Sequence, residues 1–286
     1  MSIIAYNQED YIADAIEGAI GQDYDNLEVV VADDCSTDAT ASIIADYARR
    51  FPGRVVAVLR EKNGGVTRNS NAALRACTGE FIAFQGGDDI LLPGKIAAQV
   101  AWFADNKRRV LCGHQVEDFY DEPGKAAQLN PARPRSGIGP EGIIRNGSPL
   151  PATSVMVRAS AVPAGGFNET IPTASDFLFW IDVVADGGEY GFVEGVFTRY
   201  RRHPAQVSNR KFDMLSDNER SYRIIADKYP QYRAICQDCI VRHVVYFGGV
   251  RHLRTGNKRA ARSSFLDAIR QKPFYLKAWL RLAQTI

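Results

Sequence analysis

The sequence lacks three features that would place it in well-defined protein classes. No apolar run approaches the roughly 18–20 residues that a membrane-spanning helix needs. No G-x-G-x-x-G run follows the first strand and no G-x-x-x-x-G-K-[ST] run occurs, which argues against an NAD or FAD site and against a P-loop. The stretch MSIIAYNQED has no positively charged segment followed by an apolar one, so we expect no signal peptide and a cytoplasmic protein.

An excess of charge of either sign is also missing. The 35 lysines and arginines nearly balance the 33 acidic residues, so we expect no general binding of nucleic acid. The five cysteines are scattered and odd in number, which argues against a disulfide framework. Cys236 and Cys239 form one C-x-x-C pair in a helical pattern, and without a second pair we expect them to pack in a core.

What the sequence does contain is an alternation of strand and helix signals over its first hundred residues. The apolar runs SIIAY, LEVVVADD, RVVAVLR and EFIAFQ are separated by amphipathic segments with apolar residues at helical spacing. Such alternation with short connections predicts an α/β fold with a mostly parallel sheet flanked by helices. Residues 112 to 150 carry little periodicity and are predicted to be irregular, whereas a basic helical pattern begins at about residue 211.

Polar side chains follow three of these strands. Asn7, Asp33 with Asp34, and Asp88 with Asp89 all come at or just after a strand end. Ligands of open α/β sheets bind beyond the carboxyl ends of the strands. We therefore expect these residues to share one site.

The stretch VVVADDCSTDAT offers two interpretations of its first two acids. Asp33 and Asp34 could cap the next helix, but Ser36, Thr37 and Asp38 already supply capping groups. A carboxylate at a strand end can instead accept hydrogen bonds from a nucleobase N–H or a ribose hydroxyl. Nucleotide contact is the favoured interpretation.

The stretch FIAFQGGDDILLPGK places two aspartates side by side. Adjacent carboxylates at the rim of a fold repel each other unless a cation compensates them. Mg²⁺ or Mn²⁺ is commonly held by one or two carboxylates together with phosphate oxygens. The alternative is a polar turn, because Gly-Gly-Asp-Asp is also good turn composition.

Taken together, these stretches resemble the family 2 glycosyltransferases of the GT-A fold. The resemblance covers roughly residues 2 to 208, and it continues in SDFLFWIDVVADGGEYGFVEGVFTRYRRHPAQVS. It implies a nucleotide-sugar donor, usually a UDP-sugar, a divalent metal, and one displacement that inverts the anomeric centre. The acceptor would be a hydroxyl of a glycan or of a lipid-linked molecule.

The resemblance also implies a role for individual residues. Asp176 matches the catalytic base, and Asp88 and His203 match the groups that hold the metal or the diphosphate. Asp89 would lie beside the donor sugar. The positions that match nucleotide-contacting residues are Tyr6, Asn7, Asp33, Asp34, Arg68 and Asn69, of which Arg68 would also face the donor sugar. Arginines of the TRYRRH segment could add positive charge at the leaving group.

Two departures from the family pattern stand out. The family often has an acid where this sequence has Gly86, so the first acidic contact is missing. The usual Glu-Asp at the base is Ser175-Asp176 here, which removes a neighbouring acid that could tune the base.

Two other functions are weighed against a glycosyltransferase. A sugar-nucleotide pyrophosphorylase would carry a Gly-rich signature with Arg and Lys near the first strand, and AYNQED lacks one. A degenerate relative that binds a nucleotide-sugar or a partner without turnover stays open because of Gly86. Retention of Asp88, Asp176 and His203 argues against that second alternative.

The predicted organisation is a catalytic domain over residues 1–208 and a helical extension over residues 209–286. Within the catalytic domain, residues 1–110 would bind the nucleotide and residues 111–208 would face the acceptor. The basic helices of the extension could pack on the catalytic domain, or contact a partner protein or the inner face of the membrane. A basic face exposed to solvent is the favoured interpretation.

Overall fold

Alternating strands and helices build the first of two compact units in the chain. The computed structural model describes residues 1–131, 135–147, 151–204, 206–207 and 211–286. The first unit comprises Met1–Ile143 and Ser148–Gln206, and the second comprises Ile144–Gly147 and Val207–Ile286. The predicted domain boundary after residue 208 lies outside the described residues, so the functional division stays a prediction.

The described part of the first unit contains a ten-stranded sheet. Its strands are β1 Ser2–Ala5, β2 Val29–Asp33, β3 Val55–Leu59, β4 Phe81–Gly86, β5 Ile90–Leu91, β6 Arg109–Phe119, β7 Gln128–Leu129, β8 Gly137–Ile138, β9 Met156–Arg158 and β10 Glu189–Arg201.

The strand order explains how separate parts of the chain reach one site. The order is β3-β2-β1-β4-β9-β6-β10-β5, with β7 beside β6 and β8 beside β10. Strands β3, β2, β1 and β4 are parallel, and β6 and β10 are parallel, while the short β9 is antiparallel to both β4 and β6. The sheet is therefore mixed and mostly parallel among its long strands, as predicted.

Helices flank this sheet and also form the second unit. They are α1 Ile12–Ile20, α2 Thr40–Arg50, α3 Val66–Ala76, α4 Lys95–Ala104, α5 Glu141–Asn146, α6 Asp176–Val184, α7 Lys211–Lys228, α8 Arg233–Cys239, α9 Tyr246–Arg254, α10 Lys258–Gln271 and α11 Leu276–Ala283. A π-helical segment, Ile240–Val245, joins α8 to α9. None of the helices in the described residues is both long and apolar enough to cross a bilayer.

The core of the first unit follows from the apolar pattern of the early strands. All five residues of β2 are buried, as expected for a parallel strand covered on both faces. Ile3 of β1, Val31 of β2 and Ile16 of α1 belong to one buried cluster. This packing sets the carboxyl ends of β2, β1 and β4 side by side.

One part of the sequence interpretation was wrong. Residues 112–119, predicted to be irregular, belong to the 11-residue strand β6 and are largely buried. Its sequence, RVLCGHQVEDF, mixes polar and apolar residues because it is central to the sheet and also carries charged partners for β10. Single-sequence periodicity does not reveal such pairing.

The second unit has its own apolar core. Phe265 and Ala268 of α10 are fully buried with Val250 of α9 and Ala278 of α11. Cys236 and Cys239 are also buried. Burial raises the pKa of the Cys236 thiol to about 11, so it stays protonated at neutral pH and packs as a small apolar group.

The buried side chain of Asn71 joins helix α3, which lies against the sheet, to the segment before α6. Its Nδ2 donates to the Phe167 carbonyl at 2.9 Å, and its Oδ1 accepts from the Phe167 N–H at 2.8 Å.

Asn71→Ala would leave both backbone groups of Phe167 without these partners. We expect the free energy of unfolding to fall by about 1–3 kcal/mol. Urea denaturation measures this, and Arg75→Ala, on an exposed position of the same helix, should change little.

Candidate functional site

Several of the predicted site residues lie where three parallel strands end. Ala5 of β1 pairs in register with Asp33 of β2, and Ile4 pairs with Gly86 of β4. The Asp34 N–H donates to the Ala5 carbonyl, and the Gly87 N–H donates to the Ile4 carbonyl. Asn7, the two aspartates after β2 and the Gly-Gly-Asp-Asp turn after β4 therefore lie along one edge of the sheet.

Asn7 links the end of β1 to the loop after β2. It adopts a left-handed backbone conformation, φ 50°, which asparagine tolerates better than most residues. Its Oδ1 accepts from the Thr37 N–H at 2.8 Å, and its own N–H donates to Ser36 Oγ at 2.9 Å. Ser36 also donates through its N–H and hydroxyl to the buried carboxylate of Asp33. Tyr6, beside this cluster in the chain, is 47% exposed.

These contacts correct the expectation that Ser36 and Thr37 cap the following helix. Helix α2 begins at Thr40, and Asp38 Oδ1 accepts from the Thr40 N–H at 2.9 Å. Ser36 and Thr37 instead bind Asp33 and Asn7. The cap cluster thus divides into one capping acid and two hydroxyl residues that shape the strand-end loop.

Asp34 organises the loop that follows β3. Its carboxylate forms an ion pair with Arg60 and accepts from the N–H groups of Gly64 at 3.0 Å and Gly65 at 2.7 Å. The side chain is only 3% exposed. Asp34 therefore holds the approach to α3 in place, and its predicted contact with a nucleotide stays a prediction.

Asn69 and Arg68 take different positions although they are neighbours on α3. Asn69 is buried, and its Nδ2 donates to the carbonyls of Ala5 and Ala32, so its side chain joins the ends of β1 and β2. Arg68 is exposed and pairs with Glu169, with Nε 3.1 Å from Oε2. The structure thus gives Asn69 a supporting position at the strand ends and Arg68 a position on the rim.

The Gly-Gly-Asp-Asp turn brings Asp88 and His203 together. Asp88 Oδ2 lies 3.0 Å from His203 Nε2, and both side chains are partly accessible. The His203 ring also contacts the Tyr11 ring, with centroids 5.2 Å apart. Two residues 115 positions apart in the sequence, each predicted to bind the metal or diphosphate, therefore form one polar pair.

The geometry also explains the glycine that stands where an acid is usual. A Cβ atom at Gly86 would lie 2.6 Å from Asp88 Oδ1 and 3.3 Å from Asp89 Oδ2. The carboxylate of Asp88 thus occupies the space that a side chain at Gly86 would need. A side chain at this position would require the Asp88 carboxylate, which meets His203 through its other oxygen, to shift.

Arg201, the last residue of β10, holds this turn. Its N–H donates to Asp89 Oδ1 at 3.0 Å, and its Nε donates to the Asp88 carbonyl at 2.8 Å.

The guanidinium group of Arg201 forms ion pairs with Asp121 and, at 3.2 Å, with Asp14. It also stacks near the rings of Tyr11 and Phe119, 4.6 and 4.7 Å from their centroids. Because the guanidinium is planar and has five donors, it can satisfy these partners at once.

Asp89 faces the interior, unlike Asp88. It is 1% exposed, and burial together with the neighbouring Asp88 charge raises the pKa of its carboxyl well above the ordinary value. Lys95 is fully buried near it and donates to the Thr153 carbonyl at 2.6 Å. Burial lowers the pKa of Lys95 to about 7, an effect that the Asp89 carboxylate opposes. The predicted contact of Asp89 with a donor sugar stays a prediction.

Asp176 begins α6, and the elements around its helix end hold it in place. Thr67 of α3 donates to the Ile171 carbonyl at 2.6 Å and lies 2.9 Å from the hydroxyl of Ser175. Asp176 Oδ1 accepts from the Phe177 N–H at 2.9 Å. Burial raises the pKa of the Asp176 carboxyl. Within the described residues, no hydrogen bond joins it to the other predicted site residues.

Two further residues that could have met an acceptor are buried. Trp180, one helical turn after Asp176, is 2% exposed and packs with Phe84, Phe167 and Phe179. His114 is fully buried in β6, and burial lowers the pKa of its ring to about 3. Both side chains therefore belong to the core.

The chemistry of Asp88 and His203 fits a hard divalent cation. Carboxylate oxygen and imidazole nitrogen are both suitable donors for Mn²⁺, and Mg²⁺ sites often have only one or two protein ligands. No cluster of three or more His, Cys, Asp or Glu side chains that could hold a metal occurs in the described residues. A cation at this pair would therefore complete its shell with phosphate oxygens and water.

Sequence reasoning missed the partners that neutralise the arginines of the TRYRRH segment. Arg199 pairs with Glu117 and Arg202 pairs with Asp118, besides the ion pairs of Arg201. The acidic run EDFYDE could have indicated these partners, because the parallel register of β6 and β10 places it opposite the arginines. Each of these three cations has an acidic partner, and their predicted contribution at a leaving group stays a prediction.

Comparison with known proteins now adds the family. The model of the family described as "Glycosyl transferase family 2" matches residues 2–158, more than half of the chain. The uncharacterized protein Rv1520 of Mycobacterium tuberculosis is 32% identical over 219 residues, which cover 73% of this chain and 62% of that protein. The putative glycosyltransferase EpsE of Bacillus subtilis is 31% identical over 217 residues, which cover 74% of this chain and 76% of that protein.

Solved structures share the fold at low sequence identity. TarS 1–349 of S. aureus, in complex with UDP-GlcNAc, has a TM-score of 0.71 and 18% identity, and the match covers 99% of this chain and 87% of that one. The mannosyltransferase PcManGT of Pyrobaculum calidifontis, in complex with GDP-Man and Mn²⁺, has a TM-score of 0.62 and 17% identity, with coverage of 98% and 77%. The predicted GT-A fold is confirmed, and with the family match it follows that this chain belongs to glycosyl transferase family 2.

Proposed function

We propose that the protein transfers a sugar from a nucleotide-sugar donor, preferably a UDP-sugar, to a hydroxyl group of a glycan or a lipid-linked acceptor. The observation that carries the proposal is the Asp88–His203 pair, which lies beyond the carboxyl ends of the parallel strands in a member of this family. The nucleotide-sugars in the structures of two neighbours, UDP-GlcNAc with TarS and GDP-Man with PcManGT, support a nucleotide-sugar donor in general.

The donor side of the site would be formed by the strand-end loops. Tyr6 and Arg68 are exposed enough to contact a nucleotide directly. Four residues are already bound to the backbone and to neighbouring side chains: Asn7, Asp33, Asp34 and Asn69. They would shape the pocket, and each would contact the ligand only through an oxygen lone pair or an N–H group that is still unpaired. Asp89 and Arg68 are assigned to the sugar half of the donor.

The diphosphate would lie against Asp88 and His203. These two residues would hold Mn²⁺ or Mg²⁺, which when bound neutralises negative charge on the departing nucleoside diphosphate. Arg201 fixes the Asp88 carbonyl, so the carboxylate stays directed at His203. Gly86 leaves the space that this carboxylate occupies, so the missing acid is compatible with an active enzyme.

The acceptor side would be served by Asp176. In its charged form the carboxylate can accept the proton of the acceptor hydroxyl, whose oxygen then forms a bond to the anomeric carbon. The carbon–oxygen bond to the diphosphate breaks on the opposite face, so the anomeric centre inverts. Burial raises the pKa of the Asp176 carboxyl, so its charged form is a stronger base than an exposed aspartate.

The domain roles and the location belong to the same proposal. Residues 1–110 would bind the nucleotide, residues 111–208 would face the acceptor, and residues 209–286 would form an extension with a separate task. A cytoplasmic position, where nucleotide-sugars are available, agrees with this chemistry. The aligned segment covers 62% of the mycobacterial relative, so further activities of longer relatives are not transferred to this chain.

A screen of UDP-sugars and GDP-sugars tests the proposal directly. Binding and donor hydrolysis would be measured with Mn²⁺, with Mg²⁺ and with a chelator. We expect at least one nucleotide-sugar to bind in a metal-dependent manner, and Asp88→Asn to weaken that binding about ten- to a hundredfold, because a charged contact worth about 1.5–3 kcal/mol is lost. Asp105→Asn, at an exposed acid, is the matched control. Absence of binding for every donor with every metal would remove the enzyme proposal.

Asp176→Asn separates catalysis from binding. The amide cannot act as a base, so we expect transfer to fall by roughly 10²–10⁴-fold while donor affinity is retained. The neutral amide still accepts from the Phe177 N–H and avoids burying a charge, so stability should not fall. Because the pKa of Asp176 is raised, the wild-type transfer rate should rise with pH through a value above that of an ordinary carboxyl. A flat rate between pH 4 and 7 would contradict this role for Asp176.

Arg201→Lys tests the positioning of the turn. Lysine keeps the charge but cannot bind the Asp88 carbonyl, Asp121 and Asp14 together. We expect the KM for the donor to rise about tenfold at limiting Mn²⁺ and kcat to change less, since the contacts of Arg201 are to the turn and to Asp121 and Asp14 rather than to Asp176. Arg199→Lys, on the same strand and paired with Glu117, should leave both constants near wild type. Steady-state kinetics at several Mn²⁺ concentrations measure the difference.

A further inference from the structure

Four large apolar side chains lie on the surface of the second unit within seven residues of sequence. Phe274 is 95% exposed, Leu276 73%, Leu280 70% and Trp279 48%. We call these four residues the C-terminal apolar patch. Together they form the densest group of exposed large apolar residues in the described part of the chain. Such groups mark interaction surfaces more often than scattered single residues do.

The periodicity of α11 shows that three of the four patch residues lie on a second apolar face of the helix, and Phe274 precedes the helix. Ala278 and Leu282 point to the core of the second unit, where Ala278 is fully buried. Leu276 and Leu280 are four residues apart and therefore share the other, exposed face, with Trp279 next to them. Lys277 and Arg281, also four residues apart, lie along the edge of this face. The helix thus presents an apolar stripe bordered by cations.

The surrounding segment is strongly basic although the whole chain has a net charge of only +2. Residues 229–286 contain eleven lysines and arginines and two acidic residues. Both acids are already paired: Asp238 with Arg242 and Lys272, and Asp267 with Arg270. Among the described residues, the exposed cations Arg254, Arg259, Arg262 and Lys277 form no ion pair.

A groove of about 920 Å³ adjoins the patch through Phe274 and Lys277. Its other walls carry Tyr246, Phe247 and Tyr275, together with Arg242 and Lys272. Phe247 is 52% exposed. Aromatic rings and cations therefore alternate at this surface, as they do at the boundary between lipid headgroups and acyl chains.

We propose that the C-terminal apolar patch and its cations dock on an anionic phospholipid bilayer. Phe274, Leu276, Trp279 and Leu280 would enter the headgroup and upper acyl region, while the cations bind acidic headgroups. A nucleic acid would leave the two leucines exposed to water, so it fits the surface less well. The surface is independent of the proposed transferase chemistry, and its test needs neither a donor nor an acceptor.

Vesicle sedimentation with the full chain tests the proposal. We expect binding to vesicles of phosphatidylglycerol and phosphatidylcholine, weaker binding at high salt, and little binding to pure phosphatidylcholine. Leu276→Ser with Leu280→Ser should weaken binding about tenfold or more, and Lys277→Gln should weaken it less. The emission of Trp279 should shift to the blue on binding, whereas Trp180 is already buried and reports no insertion.

Matched controls come from the first unit. Leu129→Ser with Ile138→Ser changes two leucine-sized residues of similar exposure, 63% and 61%, and Lys107→Gln removes an exposed lysine. These variants should bind vesicles like the wild type. Equal binding of the leucine variant and the wild type would overturn the proposal. So would a stable dimer in solution that the leucine variant dissociates, because a second copy would then cover the patch.

Discussion

The guanidinium group of Arg201 is the contact on which the arrangement of the site depends. It is nearly buried at the end of β10, and it binds the backbone of the Gly-Gly-Asp-Asp turn on one side and two aspartates on the other. A charge in such a position must be fully paired, because burial of an unpaired cation is costly. The pairing fixes Asp88 where it meets His203, two residues after Arg201 in the chain. The positive charge of this arginine therefore serves to position the turn that carries Asp88.

The same principle governs the other strand ends. Asp34 is satisfied by Arg60 and two glycine N–H groups, and Asp33 is satisfied by Ser36. The side chain of Asn69 donates to the carbonyls at the ends of β1 and β2. The buried carboxylates of Asp33 and Asp34 are thus bound before any ligand arrives, so these two loops are preorganised. The more accessible groups, Tyr6, Arg68, Asp88 and His203, are then the ones directed toward solvent.

The sequence was most informative where local pattern and topology agree. Buried parallel strands and their polar ends predicted which residues share an edge, and the register of β1, β2 and β4 confirms it. It was least informative where pairing is distant. The partners of Arg201 lie 80 and 187 positions away, so no spacing rule reveals them. The long strand β6 was missed for the same reason, since its charged residues are explained only by β10. Gly86 became intelligible only from the position of the Asp88 carboxylate.

The central claim is that Asp88 and His203 act as one unit that holds the cation and the diphosphate. A double-mutant cycle on Mn²⁺-dependent UDP binding, with Asp88→Asn, His203→Gln and the combined variant, measures their coupling by titration calorimetry. We expect each single variant to weaken binding, and the combined variant to lose clearly less binding free energy than the sum of the two single losses. Strictly additive losses, or unchanged UDP binding in both single variants, would contradict it.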